Sequence, residues 1–83
     1  MKHYLIMCRS LTGAQRAVKL LEGSLIRAAA VKAPKHLTLG GCAYAVRLRS
    51  SPAEALDVLR KNGIATGKIF MTENGAEYRE VSF

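Results

Sequence analysis

Twice in 83 residues a short apolar run passes straight into a serine-headed amphipathic repeat, and this alternation narrows the folds open to the chain. The first run, His3 to Cys8, is short enough to be a buried strand. Behind it, Leu11, Ala14, Ala17, Val18, Leu21 and Leu25 recur at three- and four-residue spacing. Gln15, Arg16, Lys19 and Glu22 fall mostly on the other side. Ser10 or Thr12 supplies the cap, and Gly23 is expected to end this helix as the glycine just beyond it. The second run, Cys42 to Arg49, alternates: Cys42, Tyr44, Val46 and Leu48 share one face, Ala43, Ala45, Arg47 and Arg49 the other. Ser51-Pro52-Ala53-Glu54 then combines a capping serine, a proline at the first helical position and a capping-box glutamate. Ala55, Leu56, Val58 and Leu59 face inward from the helix it opens, and Asn62-Gly63 closes it.

The remaining segments complete the order. Leu25 to Val31 is a second strand diluted by alanine, and Pro34 to Gly41 a loop or hairpin connection. Lys68 to Thr72 is a fourth strand. Glu73-Asn74-Gly75-Ala76 reads as a type I′ turn that folds Glu77 to Phe83 back as a short edge strand. The order β-α-β-β-α-β predicts an α+β, ferredoxin-like sandwich: an antiparallel sheet in the order 4-1-3-2, two helices on one face and a C-terminal hairpin. A chain of this length is one domain, residues 1–83, with a modest core.

Thirteen Lys and Arg against six Asp and Glu give a net charge of +7, which suits an anionic partner. The basic residues are scattered and Trp is absent, so nucleic acid is permitted but weakly indicated. Two cysteines, Cys8 and Cys42, with His3 and His36 isolated, make neither a disulfide scaffold nor a metal site, and no cofactor is expected. Tyr4 to Cys8 is too short for a signal-peptide core. No segment approaches the roughly 20 apolar residues of a membrane span, so a cytoplasmic protein with reduced thiols is the default. No Ser-His-Asp set, carboxylate pair or phosphate loop points to an autonomous enzyme.

Chemistry concentrates at Gly40-Gly41-Cys42, behind the basic stretch Lys32 to His36. Glycines beside a cysteine leave its sulfur uncovered, and nearby cations favour thiolate over thiol. In the expected topology the end of the first strand lies beside the start of the third, so Cys8 and Cys42 share one end of the sheet with the first helix N-terminus. Arg9, Ser10, Lys35 and His36, with Arg16 a further candidate, then supply a positive environment for a thiolate, persulfide or phosphate. Each also has a plainer reading: Cys42 as a small apolar strand residue, Cys8 as core, Ser10 as a cap, Lys35 and His36 as solvated loop residues. Arg47 and Arg49 serve either to keep the outer sheet face soluble or as a surface for a partner protein, a small anion, RNA or a second copy.

Tyr4-Leu5-Ile6 followed by Ser10, Ala14, Ala17, Lys19, Leu20 and Leu21 carries a resemblance. So do Pro34-Lys35, Gly41-Cys42-Ala43-Tyr44-Ala45-Val46-Arg47 and the helix ending at Asn62-Gly63-Ile64. Over nearly its whole length the chain resembles the selenium/sulfur (Se/S) carrier protein-like family, departing at Ala43, where glycine is expected, and at Gly40-Gly41, where the lead-in is more serine-rich. The resemblance implies that Cys42 carries a persulfide or selenopersulfide, received from a donor such as a cysteine desulfurase and passed to an acceptor. The alternative is a non-catalytic binding or regulatory module.

Overall fold

The computed structural model describes residues 2–38 and 43–83. Strands β1 (His3–Cys8), β2 (Ala28–Lys32), β3 (Tyr44–Leu48), β4 (Ile69–Thr72) and β5 (Arg79–Val81) form one sheet in the order β2-β3-β1-β4-β5. Every pairing is antiparallel. The observed order is therefore not the expected 4-1-3-2: β5, in the C-terminal segment expected to fold back as an edge strand, joins the sheet beyond β4, with Ile69 opposite Val81. Helices α1 (Leu11–Gly23) and α2 (Pro52–Lys61) follow β1 and β3. A single 3₁₀ turn, Lys35–Leu37, follows β2.

Period-two alternation divides the sheet into two buried faces. Ile6, Cys8, Val46, Leu48 and Ile69 pack with Ala14, Ala17 and Leu21 of α1 and Ala55, Leu56 and Leu59 of α2, so both helices cover the same face. On the other face Leu5, Met7 and Ala45 pack with Ala33 and Leu37, and Val31, Phe70 and Tyr78 border them. The sheet face opposite the helices is thus covered at its centre, where the sequence suggested an open one. The 3₁₀ turn does this by inserting Leu37.

Both helices begin as their sequences direct. Ser10 is the cap of α1, its Oγ accepting from the Gly13 N–H at 3.0 Å, and Ser51 caps α2 by accepting from Ala53 N–H at 3.4 Å. They end in the same backbone motif with different residues. In α2 the Ile64 N–H donates to Leu59 O and the Gly63 N–H to Arg60 O, with Gly63 left-handed at φ 71°. In α1 the Ile26 N–H donates to Leu21 O and the Leu25 N–H to Glu22 O, and Leu25 takes the left-handed position at φ 63°. Gly23, expected beyond the helix, is instead its last residue. Leu11 and Leu25, expected inside, are 42% and 95% exposed, Leu25 because the helix has already reversed where it stands.

Two further segments depart locally from the sequence pattern. The second strand begins at Ala28 rather than Leu25, since residues 24–27 are used in the reversal after α1. The β4–β5 connection is not a type I′ turn, which needs two successive positive φ angles; among the described residues of this turn only Gly75 has one, at 78°. Asn74 Oδ1 instead accepts from the Ala76 and Glu77 N–H groups, and Thr72 Oγ1 accepts from the Gly75 N–H. The wider loop shortens the last strand to Arg79–Val81.

These placements make opposite forecasts for three leucines. Leu21→Ala, at a fully buried site, should cost about 2–5 kcal/mol in urea unfolding, whereas Leu11→Ala should change stability by less than about 0.5 kcal/mol. Leu25→Gly should raise stability by about 1 kcal/mol, because the left-handed region penalises a Cβ and this side chain buries almost nothing in return.

Candidate functional site

Cys8 ends β1 with its side chain on the helix face, 2% exposed, its thiol donating to Ile6 O at 3.6 Å. Its place in the core is the plainer of the two sequence readings. Its neighbour across the ladder is Tyr44, two residues along the chain from Cys42. Gly40, Gly41 and Cys42 lie outside the described residues, but the chain on either side is held. Thr38 Oγ1 donates to Lys35 O at 2.8 Å, and the Ala33 N–H donates to Ala43 O at 2.9 Å.

The C-terminal end of β1 opens into a cleft of about 590 Å³. Arg9, immediately after β1, and His36, from the 3₁₀ turn, both line it, so two residues 27 apart in sequence share one cleft. Lys68 is a third basic group there, and Met7, Leu37 and Phe70 supply apolar lining. Ladder hydrogen bonds carry the rim past the regular strands: the Met7 N–H donates to Lys68 O at 2.9 Å and the Gly67 N–H to Met7 O at 2.8 Å. Lys68 Nζ lies 3.6 Å from Glu80 Oε1, but both side chains are more than half exposed, so this pair adds little stability and leaves the ammonium accessible. Arg9 and His36 have no carboxylate within ion-pair distance among the described residues.

Not every expected member joins. Lys35 is exposed on the same turn but does not line the cleft, and Ser10 spends its hydroxyl on the helix cap. Arg16 lies on the outer side of α1 beside a different hollow. Arg47 and Arg49 are far removed. At about 3.3 Å per residue, Arg49 is roughly 20 Å along the sheet from Arg9, so the two basic groups form separate surfaces.

Sequence reasoning missed Lys68, Phe70, Glu80 and Tyr78 as neighbours of the basic end. Tyr78 Oη is 3.2 Å from His3 Nε2, and its ring centroid is 6.1 Å from that of His36, so it links the fifth strand's approach to the 3₁₀ turn. The available signal was the C-terminal hairpin, which necessarily brings residues after Asn74 back beside β4. Among the described residues no group of three or more His, Cys, Asp or Glu could hold a metal ion, and no described helix is long and apolar enough to cross a membrane.

A basic cleft thus lies at the strand ends, and the cysteine-bearing segment runs between anchored flanks. The family model described as "Putative Se/S carrier protein-like" matches residues 3–71, from the start of β1 into β4. The chain belongs to this family. The match takes in all of the Se/S carrier-like helices, the 3₁₀ turn and Cys42, and stops short of β5. No curated protein and no solved structure matches the chain significantly.

The burial of Cys8 in this Se/S carrier-like domain has a direct check. In Cys42→Ser protein, where Cys8 is the only thiol, native samples should stay unlabelled by iodoacetamide and label fully after urea unfolding, as read by intact mass.

Proposed function

We propose that this protein carries sulfur or selenium as a persulfide or selenopersulfide on Cys42. The observation that carries the reading is the family match, which spans Cys42 within residues 3–71. The chemistry of the surroundings supports it. The 3₁₀ turn contributes His36 and Leu37 to the basic cleft and runs directly into the segment that bears Cys42. Three basic side chains at one sheet end favour a thiolate over a thiol and an anionic terminal sulfur over a neutral one. In transfer, the Cys42 thiolate attacks the outer sulfur of a donor persulfide. A new S–S bond forms at Cys42, the donor's S–S bond breaks, and the donor cysteine leaves as a thiolate. No external oxidant is needed. The donor is of the cysteine desulfurase type, and Cys8, sealed under α1 and α2, takes no part.

A second reading rests on the cleft itself. Apolar lining with convergent basic groups is the pattern of a small-molecule site, and this one suits an organic anion with an apolar body. On that reading the protein is a binding module, and Cys42 is dispensable.

Incubating reduced protein with a cysteine desulfurase and free cysteine should add one sulfur atom to wild type and to Cys8→Ser, but none to Cys42→Ser, by intact mass under non-reducing conditions. Arg9→Ala combined with Lys68→Ala should slow the gain about threefold or more without altering the fold, since both side chains are exposed. Equal sulfur gain in Cys42→Ser and wild type would refute the carrier assignment.

A further inference from the structure

The end of the molecule remote from the cleft carries a surface of different character. Arg27, Arg47 and Arg49 converge on a hollow of about 730 Å³ formed by the reversal after α1, the start of β2 and the connection from β3 to α2. All three are exposed, and among the described residues none has a carboxylate within ion-pair distance. Leu25 lines the same hollow. It occupies the left-handed position that α2 gives to Gly63, and it is 95% exposed, so within this chain its side chain strains the backbone and buries nothing. A strained residue that its own fold does not repay is a reason to look for a partner that does.

We propose that this hollow docks an acidic segment of another protein, whose carboxylates meet Arg27, Arg47 and Arg49 while an apolar side chain packs on Leu25. Guanidinium groups recognise carboxylates in a fixed fork geometry, and the overall charge of +7 draws such a partner in. A second copy of this chain is the wrong occupant, because a two-fold contact sets three arginines against three arginines. Single-stranded RNA is also disfavoured. Among the described residues no aromatic side chain lines the hollow to stack a base, Leu25 offers no hydrogen bond, and Glu54, on its rim, repels phosphate. Toward a protein, Glu54 is an acceptor for a backbone amide or a lysine. The surface lies at the opposite end of β3 from Tyr44, so it operates whatever the chemistry at Cys42.

The test is an amide NMR titration with a short synthetic peptide of Asp, Glu and Gly bearing one central Leu, beside its central-Ser counterpart and an oligouridylate. The expected result is shifts confined to residues 25–29, 47–50 and 54, with the Leu peptide about threefold or more tighter than the Ser peptide. Leu25→Gly should lose that preference while melting at a higher temperature than wild type, which separates docking from folding. Arg47→Ala with Arg49→Ala should weaken both peptides and flatten the salt dependence, and Cys42→Ser should bind as wild type does. The proposal is overturned if these amides do not shift, if both peptides bind Leu25→Gly and wild type alike, if the oligouridylate shifts the same amides more strongly, or if those amides report self-association on concentration.

Discussion

Burial of β1 on both faces is the constraint from which the rest of the molecule follows. Leu5, Ile6, Met7 and Cys8 are each 2% exposed or less, so consecutive side chains pointing in opposite directions all need cover. Flanking by β3 and β4 satisfies the backbone of this strand. The two helices supply one apolar lid, and Ala33, Leu37 and Ala45 with bordering Phe70 and Tyr78 supply the other. A chain of this size has few residues for a second layer, and it uses a 3₁₀ turn and a C-terminal hairpin for it. The basic cleft arises where this thin cover ends, beside Met7 and Leu37.

The two basic surfaces differ in what they expose beside the charge. At the cleft, Arg9, His36 and Lys68 surround recessed apolar side chains, an arrangement suited to a small anion or a sulfur species delivered to the sheet end. At the opposite end, three arginines surround a leucine that projects into solvent. On the two proposals made above, the carrier chemistry sits at one end of this 83-residue chain and the docking surface at the other, with the length of β3 between them.

The helices were the most legible part of the chain. Ser10 and Ser51 cap where their local chemistry says, and Gly63 closes α2 as Asn62-Gly63 announces, because caps and apolar periodicity act within a few residues. The end of α1 is not legible in the same way, because glycine is the ordinary left-handed residue, yet the helix runs through Gly23 and reverses at Leu25. The meeting of Arg9 with His36 followed from strand order, but Lys68, Phe70 and Tyr78 did not, because their approach depends on the register of β4 and the width of the β4–β5 loop. Neither quantity is written in a local pattern.

By itself the sequence determined the α+β class, the two amphipathic helices with their starts, and the family. Those are consequences of side-chain period, capping chemistry and motif, all short-range along the chain. Only the tertiary structure decided that the second face is covered, that Cys8 is sealed beneath the helices, and that Arg47 and Arg49 stand apart from Arg9 and His36. Each of these turns on which distant segments share a ladder and which face they present. Competition among all apolar surfaces for the same core settles that at once, rather than any segment alone.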